Sequence, residues 1–192
     1  MAAPPIPEWL QREVNEYFAV PLNINPATVL DIGANIGAFA LRAHAQWPAA
    51  RVICCEPMPF NLAQLTQNVE PHWCQLIPGA VRAYSGKADI YVGDMFVTGG
   101  FIKGQRQTDR TISVNCIAAD RLPPCELVKV DTEGCEVEIL QHLDLSQTQA
   151  VMLEHHSLSD AATLKQMLAA KGFNIVHDES EREIGTMIFV RA

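Results

Sequence analysis

Residues 28–39, TVLDIGANIGAF, limit what this chain can fold into more than any other stretch. An apolar run, Val29-Leu30, leads into Asp31-Ile32-Gly33. A turn of small residues, Gly33-Ala34-Asn35-Ile36-Gly37, follows, and then Phe39, Leu41, Ala43 and Trp47 mark a helical pattern. Strand, glycine turn and helix in that order bring bare backbone and a helix N-terminus up to a bound cofactor. An acidic residue closing the next strand would hold ribose hydroxyls. RVICCE at 51–56 supplies one, because Glu56 stands 23 positions after Gly33, near the spacing of a ribose acceptor.

The rest of the chain extends this rhythm. Apolar positions at helical spacing predict an amphipathic helix over 7–18, packed across the sheet edge rather than serving as a lid over the cofactor. After strand two, Pro57-Met58-Pro59 turns the chain into a helix marked by Leu62, Leu65 and Val69, and residues 75–81 read as a third strand. Residues 127–130, 150–153, 173–176 and 186–190 read as further strands. A helix with Val137, Leu140 and Leu143 on one face separates the first two. A second, capped by Ser159 or Asp160 and stopped at Gly172, precedes the last pair. Right-handed crossovers then give a mostly parallel sheet, and the last two strands pair antiparallel if they are neighbours. Residues 83–120 break the pattern: strands at 88–92 and 111–117 flank a loop, 93–110, that suits a substrate region. The expectation is a single α/β domain over 1–192, with an N-terminal helix within 1–26.

Composition narrows the partners. With 192 residues, 48% hydrophobic and 19% charged, the chain has enough apolar side chains for one full core. No apolar run reaches the ~18 residues of a membrane span. The first residues lack the basic and apolar regions of a secretory signal. A formal charge of −8 argues against binding along a nucleic-acid backbone. Cys54, Cys55, Cys74, Cys116, Cys125 and Cys135 form no C-x-x-C pair, so they read as free thiols in a cytoplasmic protein without structural zinc. The partners expected are a small-molecule acceptor, with no nucleic acid and no membrane; a homodimer stays open.

Two readings of the glycine turn compete. A nicotinamide enzyme carries G-x-G-x-x-G, whose glycines admit a pyrophosphate. Here Asn35 stands where the second glycine belongs, which suits an adenosine cofactor without phosphates, such as S-adenosylmethionine. DIGANIGAFA followed by CEPMPFN resembles motif I and the acidic second-strand end of class I S-adenosylmethionine methyltransferases. LVKVDTEGCEVEIL at 127–140 resembles the hallmark of the FkbM family, a pattern close to K-x-D-x-E-G-x-E that Lys129, Asp131, Glu133, Gly134 and Glu136 fill. Asp120-Arg121-Leu122 before it and Glu154 after it keep that family's order. The resemblance implies a Rossmann-like seven-stranded sheet with an antiparallel last strand and helices on both faces. It also implies methyl transfer to a hydroxyl of a sugar, polyketide or other small molecule.

Within that frame, Asp31 reaches the cationic end of the cofactor's amino-acid tail, directly or through water. Gly33, Ala34, Asn35 and Gly37 line the cofactor. Glu56 accepts both ribose hydroxyls. Pro57 and Met58 sit beside the adenine, with Ala80 and Val81, at the end of strand three, on its other side. Met58 is nearly as well explained as a core filler. Asp131 ends strand four, where ligands bind in open α/β sheets, and faces both cofactor and acceptor. Glu133 divides evenly between a role in the site and a favourable place at a helix N-terminus, and Glu136 reads as structural.

An oxygen acceptor must lose its proton, and Asp131, Glu154, His155 and His156 are the strand-end groups placed to take it. Alternation along a strand allows at most one of the two histidines to face the site; the resemblance, through the family's usual Glu-x-polar ending, prefers His156 as base. Asp131, Glu133, Glu154 and a histidine could hold a divalent metal instead, but no established metal spacing is present and none is expected. Two other functions fit parts of the pattern: an NAD(P)-dependent oxidoreductase, and a cofactor-binding regulatory protein without turnover.

Overall fold

The computed structural model describes residues 5–93, 99–100 and 107–192. Seven strands form the main sheet: β1 (Thr28–Ile32), β2 (Arg51–Glu56), β3 (Cys74–Pro78), β8 (Leu127–Val130), β9 (Ala150–His155), β10 (Phe173–Asp178) and β11 (Gly185–Arg191). Their order is β10-β11-β9-β8-β1-β2-β3. β1 pairs parallel with both β2 and β8, and β8 pairs parallel with β9. β11 lies antiparallel between β9 and β10. This is the expected seven-stranded sheet. Val29, Leu30, Val52, Leu127, Val128, Val151 and Leu153 are fully buried, as strands covered on both faces require.

Helices α2 (Ala38–Gln46), α3 (Pro59–Asn68), α4 (Glu136–His142) and α5 (Leu158–Ala170) follow strands as the pattern predicts. Two buried clusters, one around Leu30, Val128, Leu140 and Phe189 and one around Val29, Phe39, Trp47 and Met152, contain residues of the same strands and so fill both sides of the sheet. The cap of α5 falls earlier than expected. Ser157, rather than Ser159 or Asp160, is the N-cap, and its Oγ accepts a hydrogen bond from the Asp160 N–H at 3.0 Å.

The expected third strand divides in two. β3 stops at Pro78, and β4 (Ala80–Arg82) pairs parallel with β7 (Gln107–Ala118) in a second sheet. Pro78 has no N–H to continue the ladder. At Gly79, a Cβ would lie 3.0 Å from the Asn115 carbonyl oxygen, so the chain crosses between sheets where a side chain crowds. The second sheet has the order β4-β7-β5-β6, with β5 (Gly86–Gly93) antiparallel to β7 and to the two-residue β6 (Gly99–Gly100). The two strands expected within 83–120 are thus its long hairpin, while most of the loop proposed over 93–110 lies outside the described residues.

Helix α1 (Glu8–Glu16) does not pack across the sheet edge. Leu10, Val14 and, just beyond the helix, Tyr17 are buried, and Tyr17 meets Phe39 edge-on with ring centroids 5.7 Å apart. Phe39 opens α2, so α1 comes down over the C-terminal ends of the central strands, where it walls a cleft.

Candidate active site

The cleft lies over the ends of β1, β2 and β8 and encloses about 1050 Å³ with its open mouth included. The turn after β1 forms its floor. The Gly33 and Ala34 N–H groups both donate to the Cys55 carbonyl oxygen at 3.0 Å, tying the turn to β2. Gly33 has φ +79°, and a Cβ there would fall 1.7 Å from the Asp131 carbonyl oxygen. Backbone meets backbone at that point, and only glycine fits. Asn35 follows at φ +51°. Together with Glu133, at φ +57°, it is one of two non-glycine residues with positive φ among the described residues. Both line the cleft, and such conformations collect at functional sites.

Glu56 is the main charged group at this end. Its Oε2 accepts the Asn35 N–H at 2.8 Å, and its Oε1 accepts the Met58 N–H at 2.8 Å and the Asn61 Nδ2 at 3.4 Å. The carboxyl is 4% exposed. Burial pushes it up to about 7, with the hydrogen bonds from Met58, Asn35 and Asn61 acting against that rise. These donors leave one of the carboxylate's roughly four lone-pair sites open, on Oε2, and a second hydroxyl would take the place of the long 3.4 Å contact from Asn61. Pro57, Met58, Ala80 and Val81 line the same end, the last two from β4 rather than from the end of β3. Ile90 of β5 joins them, and Met58, Ala80 and Ile90 belong to one buried cluster.

Two sequence expectations at this end change. Gly37 does not line the cleft. It caps α2 at φ +91°, and a Cβ would stand 2.6 Å from Leu65 Cδ1, so its smallness serves helix packing. Asp31 does not reach the cleft either. It is fully buried on β1, 3.3 Å from the Lys129 Nζ on neighbouring β8. Burial raises its carboxyl, with Lys129 opposing. Lys129, expected only as a member of the K-x-D-x-E-G-x-E pattern, does line the cleft. Its Nζ donates to the Gly33 carbonyl oxygen at 2.8 Å and lies 3.6 Å from Asp131 Oδ2. Burial alone would lower the ammonium, but Asp31 and Asp131 outweigh it and hold it above its ordinary value. A lysine inside the apolar run LVKV was a readable sign, since a buried charge requires partners.

At the other end, Asp131 follows β8 and its Oδ2 accepts the Tyr17 hydroxyl at 3.1 Å. Burial, then Asp131 and Glu154, raise the phenol well above its ordinary value, so Tyr17 stays a donor. Tyr17 lies 114 positions before Asp131, and nothing in its sequence context marked it. Glu154 and His156 lie two residues apart after the alternation of β9, and a ligand atom of each meets one of Asp131 within 4.8 Å. His155 points elsewhere. It is fully buried, with its Nε2 3.1 Å from where a Cβ on Gly185 would stand. It is therefore not brought to the site.

His156 sits among carboxylates. Its Nε2 is 3.1 Å from Glu154 Oε2 and 3.7 Å from Glu133 Oε2, and its Nδ1 is 3.2 Å from Glu136 Oε1. Burial would lower the imidazolium, yet Glu136 and Glu154 outweigh it and push it up to about 11. A ring that keeps its proton at neutral pH is a donor, so the base role expected of His156 does not suit this geometry. Glu136, expected to be structural, is the carboxylate against Nδ1. Its Oε1 also accepts the Thr132 N–H and hydroxyl and the Gly134 N–H, which knits the turn after β8. Burial and Asp131 raise Glu154, with His156 partly offsetting them.

Comparisons with known proteins point to a family of methyltransferases. The family model described as the methyltransferase FkbM domain matches residues 31–175. The 31-O-demethyl-FK506 methyltransferase FkbM of Streptomyces tacrolimicus is 24% identical over 229 residues, covering 94% of this chain and 87% of that protein. The hexuronic acid methyltransferase AglP of Haloferax volcanii is 28% identical over 148 residues, covering 72% of this chain and 60% of that protein. Among solved structures, the methyltransferase FkbM from Methylobacillus flagellatus superposes with a TM-score of 0.65 at 14% identity, over 92% of this chain and 47% of that one; at such identity the likeness speaks for the fold.

Proposed function

The chain belongs to the methyltransferase FkbM family, and from that premise we propose that it moves a methyl group from S-adenosylmethionine to a hydroxyl oxygen of a small molecule. The observation that carries the cofactor is the pairing of the Gly33 turn with buried Glu56 across one cleft, in a family of methyltransferases. In this reading Glu56 accepts the ribose hydroxyls. Pro57, Met58, Ala80, Val81 and Ile90 flank the adenine, and the turn 33–35 borders the amino-acid tail. Asp31 acts on that region through Lys129. Asn35, where a pyrophosphate needs glycine, speaks against a nicotinamide cofactor. When bound, the cofactor supplies a sulfonium methyl whose transfer is already downhill, which leaves alignment, water exclusion and proton removal to the protein.

The remaining steps fall to side chains at the acceptor end. Asp131, fixed by Tyr17 and Lys129, holds the acceptor hydroxyl and takes its proton, with Glu154 as its partner carboxylate. While no cation is bound beside it, His156 stays protonated and orients Glu154. These groups favour an oxygen acceptor, and the name of one relative, a 31-O-demethyl-FK506 methyltransferase, supports that reading, while a hexuronic acid methyltransferase supports a small-molecule acceptor. The net charge of −8 and the carboxylates at the acceptor end favour a small molecule over nucleic acid. No helix among the described residues is long and apolar enough to cross a membrane. Six buried free thiols, with Cys54 and Cys74 Sγ atoms 3.5 Å apart, suit a cytoplasmic, reducing setting.

The test is transfer of an isotope-labelled methyl group from S-adenosylmethionine to a panel of uronic acids, sugars and polyketide alcohols, with products read by mass spectrometry. Label on an oxygen is the expected result. Label on nitrogen or carbon, or cofactor binding without transfer to any member, contradicts the reading; the second outcome favours a regulatory protein.

A further inference from the structure

We propose that Asp131, Glu154 and His156 form a site for one divalent cation of the Mn²⁺ class at the acceptor end of the cleft. One ligand atom from each residue lies within 4.8 Å of the others. Of these atoms, His156 Nε2 and Glu154 Oε2 are 3.1 Å apart, about the separation of two adjacent ligands around a centre with bonds of about 2.1–2.2 Å, and Asp131 would close in on the same centre by a small shift. All three residues sit at or just beyond the ends of neighbouring strands, β8 and β9, so the set is held by the sheet rather than by a loop.

The surroundings call for positive charge. Among the described residues, the carboxylates within ion-pair distance of Lys129 and His156 are Asp31, Asp131, Glu133, Glu136 and Glu154. Lys129 is committed to Asp31 and the Gly33 carbonyl. Nδ1 of His156 is buried and forms no aligned hydrogen bond, although Glu136 Oε1 lies 3.2 Å away. Glu136 is 1% exposed, and the three donors from Thr132 and Gly134 fix it in place. A carboxylate fixed 3.2 Å from the far nitrogen is placed to accept its N–H after a small turn of the ring, and that hydrogen bond orients a metal-binding histidine and raises its basicity.

The cation would replace a proton. The Nε2 lone pair forms the metal bond, and the proton it held leaves to solvent. One imidazole with two carboxylates matches Mn²⁺, which accepts both kinds of donor, better than Mg²⁺ or Ca²⁺, which favour oxygen alone. Three protein ligands leave further positions for water or for acceptor oxygens. Use of the cation to orient an acceptor rests on the proposed methyl transfer; binding of the cation does not.

The protein, stripped with a chelator, is titrated with MnCl₂ while the free-ion electron paramagnetic resonance signal is followed. One site per chain is expected. Glu136→Gln should weaken it about 10–100-fold, and Glu154→Gln or His156→Gln by more. Absence of saturable binding, or unchanged affinity in variants that melt as the wild type does, overturns the proposal. If the variants melt early, spin-echo spectra of Mn²⁺ on the wild type decide: coupling to an imidazole nitrogen supports the site, and its absence overturns it. Neither cofactor nor acceptor is present in this experiment, so its failure and a failure of methyl transfer are separate results.

Discussion

The two ends of the cleft are built on different principles. The cofactor end is mostly backbone: a turn from 33 to 35, the start of α3 and the crossing at Gly79, with Glu56 as its main charge. Its form is set by what cannot fit, as at Gly33. The acceptor end is mostly side chains, gathered from Tyr17, Lys129, Asp131, Glu136, Glu154 and His156, and its form is set by which charges balance. Steric limits leave a mark in a short stretch of sequence. Charge balance among distant residues leaves little until the chain is folded.

Substitutions should separate the ends, the largest effect coming from the glycine. Gly33→Ala places a methyl group against the Asp131 carbonyl at positive φ. We expect about 4 kcal/mol of lost stability, read as a fall of roughly 10 °C in melting temperature, and loss of cofactor binding. A variant that melts as the wild type does would show that the turn relaxes freely and that this end is not sterically fixed. Next is Asp131→Asn, for which methyl transfer should slow by about 10²–10⁴ while cofactor affinity stays within several-fold. Parallel losses in both would erase the division between the ends.

A pH titration sharpens the comparison through Glu56. Its carboxyl is raised from an ordinary 4.5 to about 7, so the empty site favours the protonated form below neutrality. Affinity for S-adenosylhomocysteine should rise about tenfold per pH unit from 5 to 7 and level off above. The stability effect has the opposite sense. A raised carboxyl contributes stability that is fully present below 4.5 and is lost as pH rises through 7, so the melting-temperature difference between wild type and Glu56→Gln should change across that window. A flat affinity profile would mean that the carboxylate does not receive the cofactor. The smallest effect is Tyr17→Phe, which removes one hydrogen bond to Asp131. About 1 kcal/mol, some fivefold in kcat/KM, is expected, with the acceptor end alone affected.

The same division explains what could be read before folding. The parallel core of the sheet, Gly33 and Glu56 follow from local pattern, because strand, glycine turn and acidic strand end are short-range signals; the antiparallel last strand follows from the family resemblance, since local pattern leaves it conditional on which strands are neighbours. The break at Pro78-Gly79 is hidden in the sequence because 75–81 is apolar enough to read as one strand, and the change of sheet depends on a distant partner, β7, where Ala80 pairs with Cys116. Gly37 was given a cofactor role because spacing cannot tell a helix cap packed on Leu65 from a ligand contact. At β9, alternation limited the site to one histidine and could not choose which; the fold chooses His156, and its carboxylate neighbours remove the base role from it. The placement of α1 over the cleft depends on Tyr17 finding Asp131 across most of the chain.

The most direct test of the account is calorimetry of S-adenosylhomocysteine with the wild type, Glu56→Gln and Asp131→Asn at pH 8. The account requires saturable binding to the wild type, weakened about 10–100-fold by Glu56→Gln and within several-fold of wild type for Asp131→Asn. Binding of NADH without binding of S-adenosylhomocysteine, or unchanged affinity in Glu56→Gln, would contradict it.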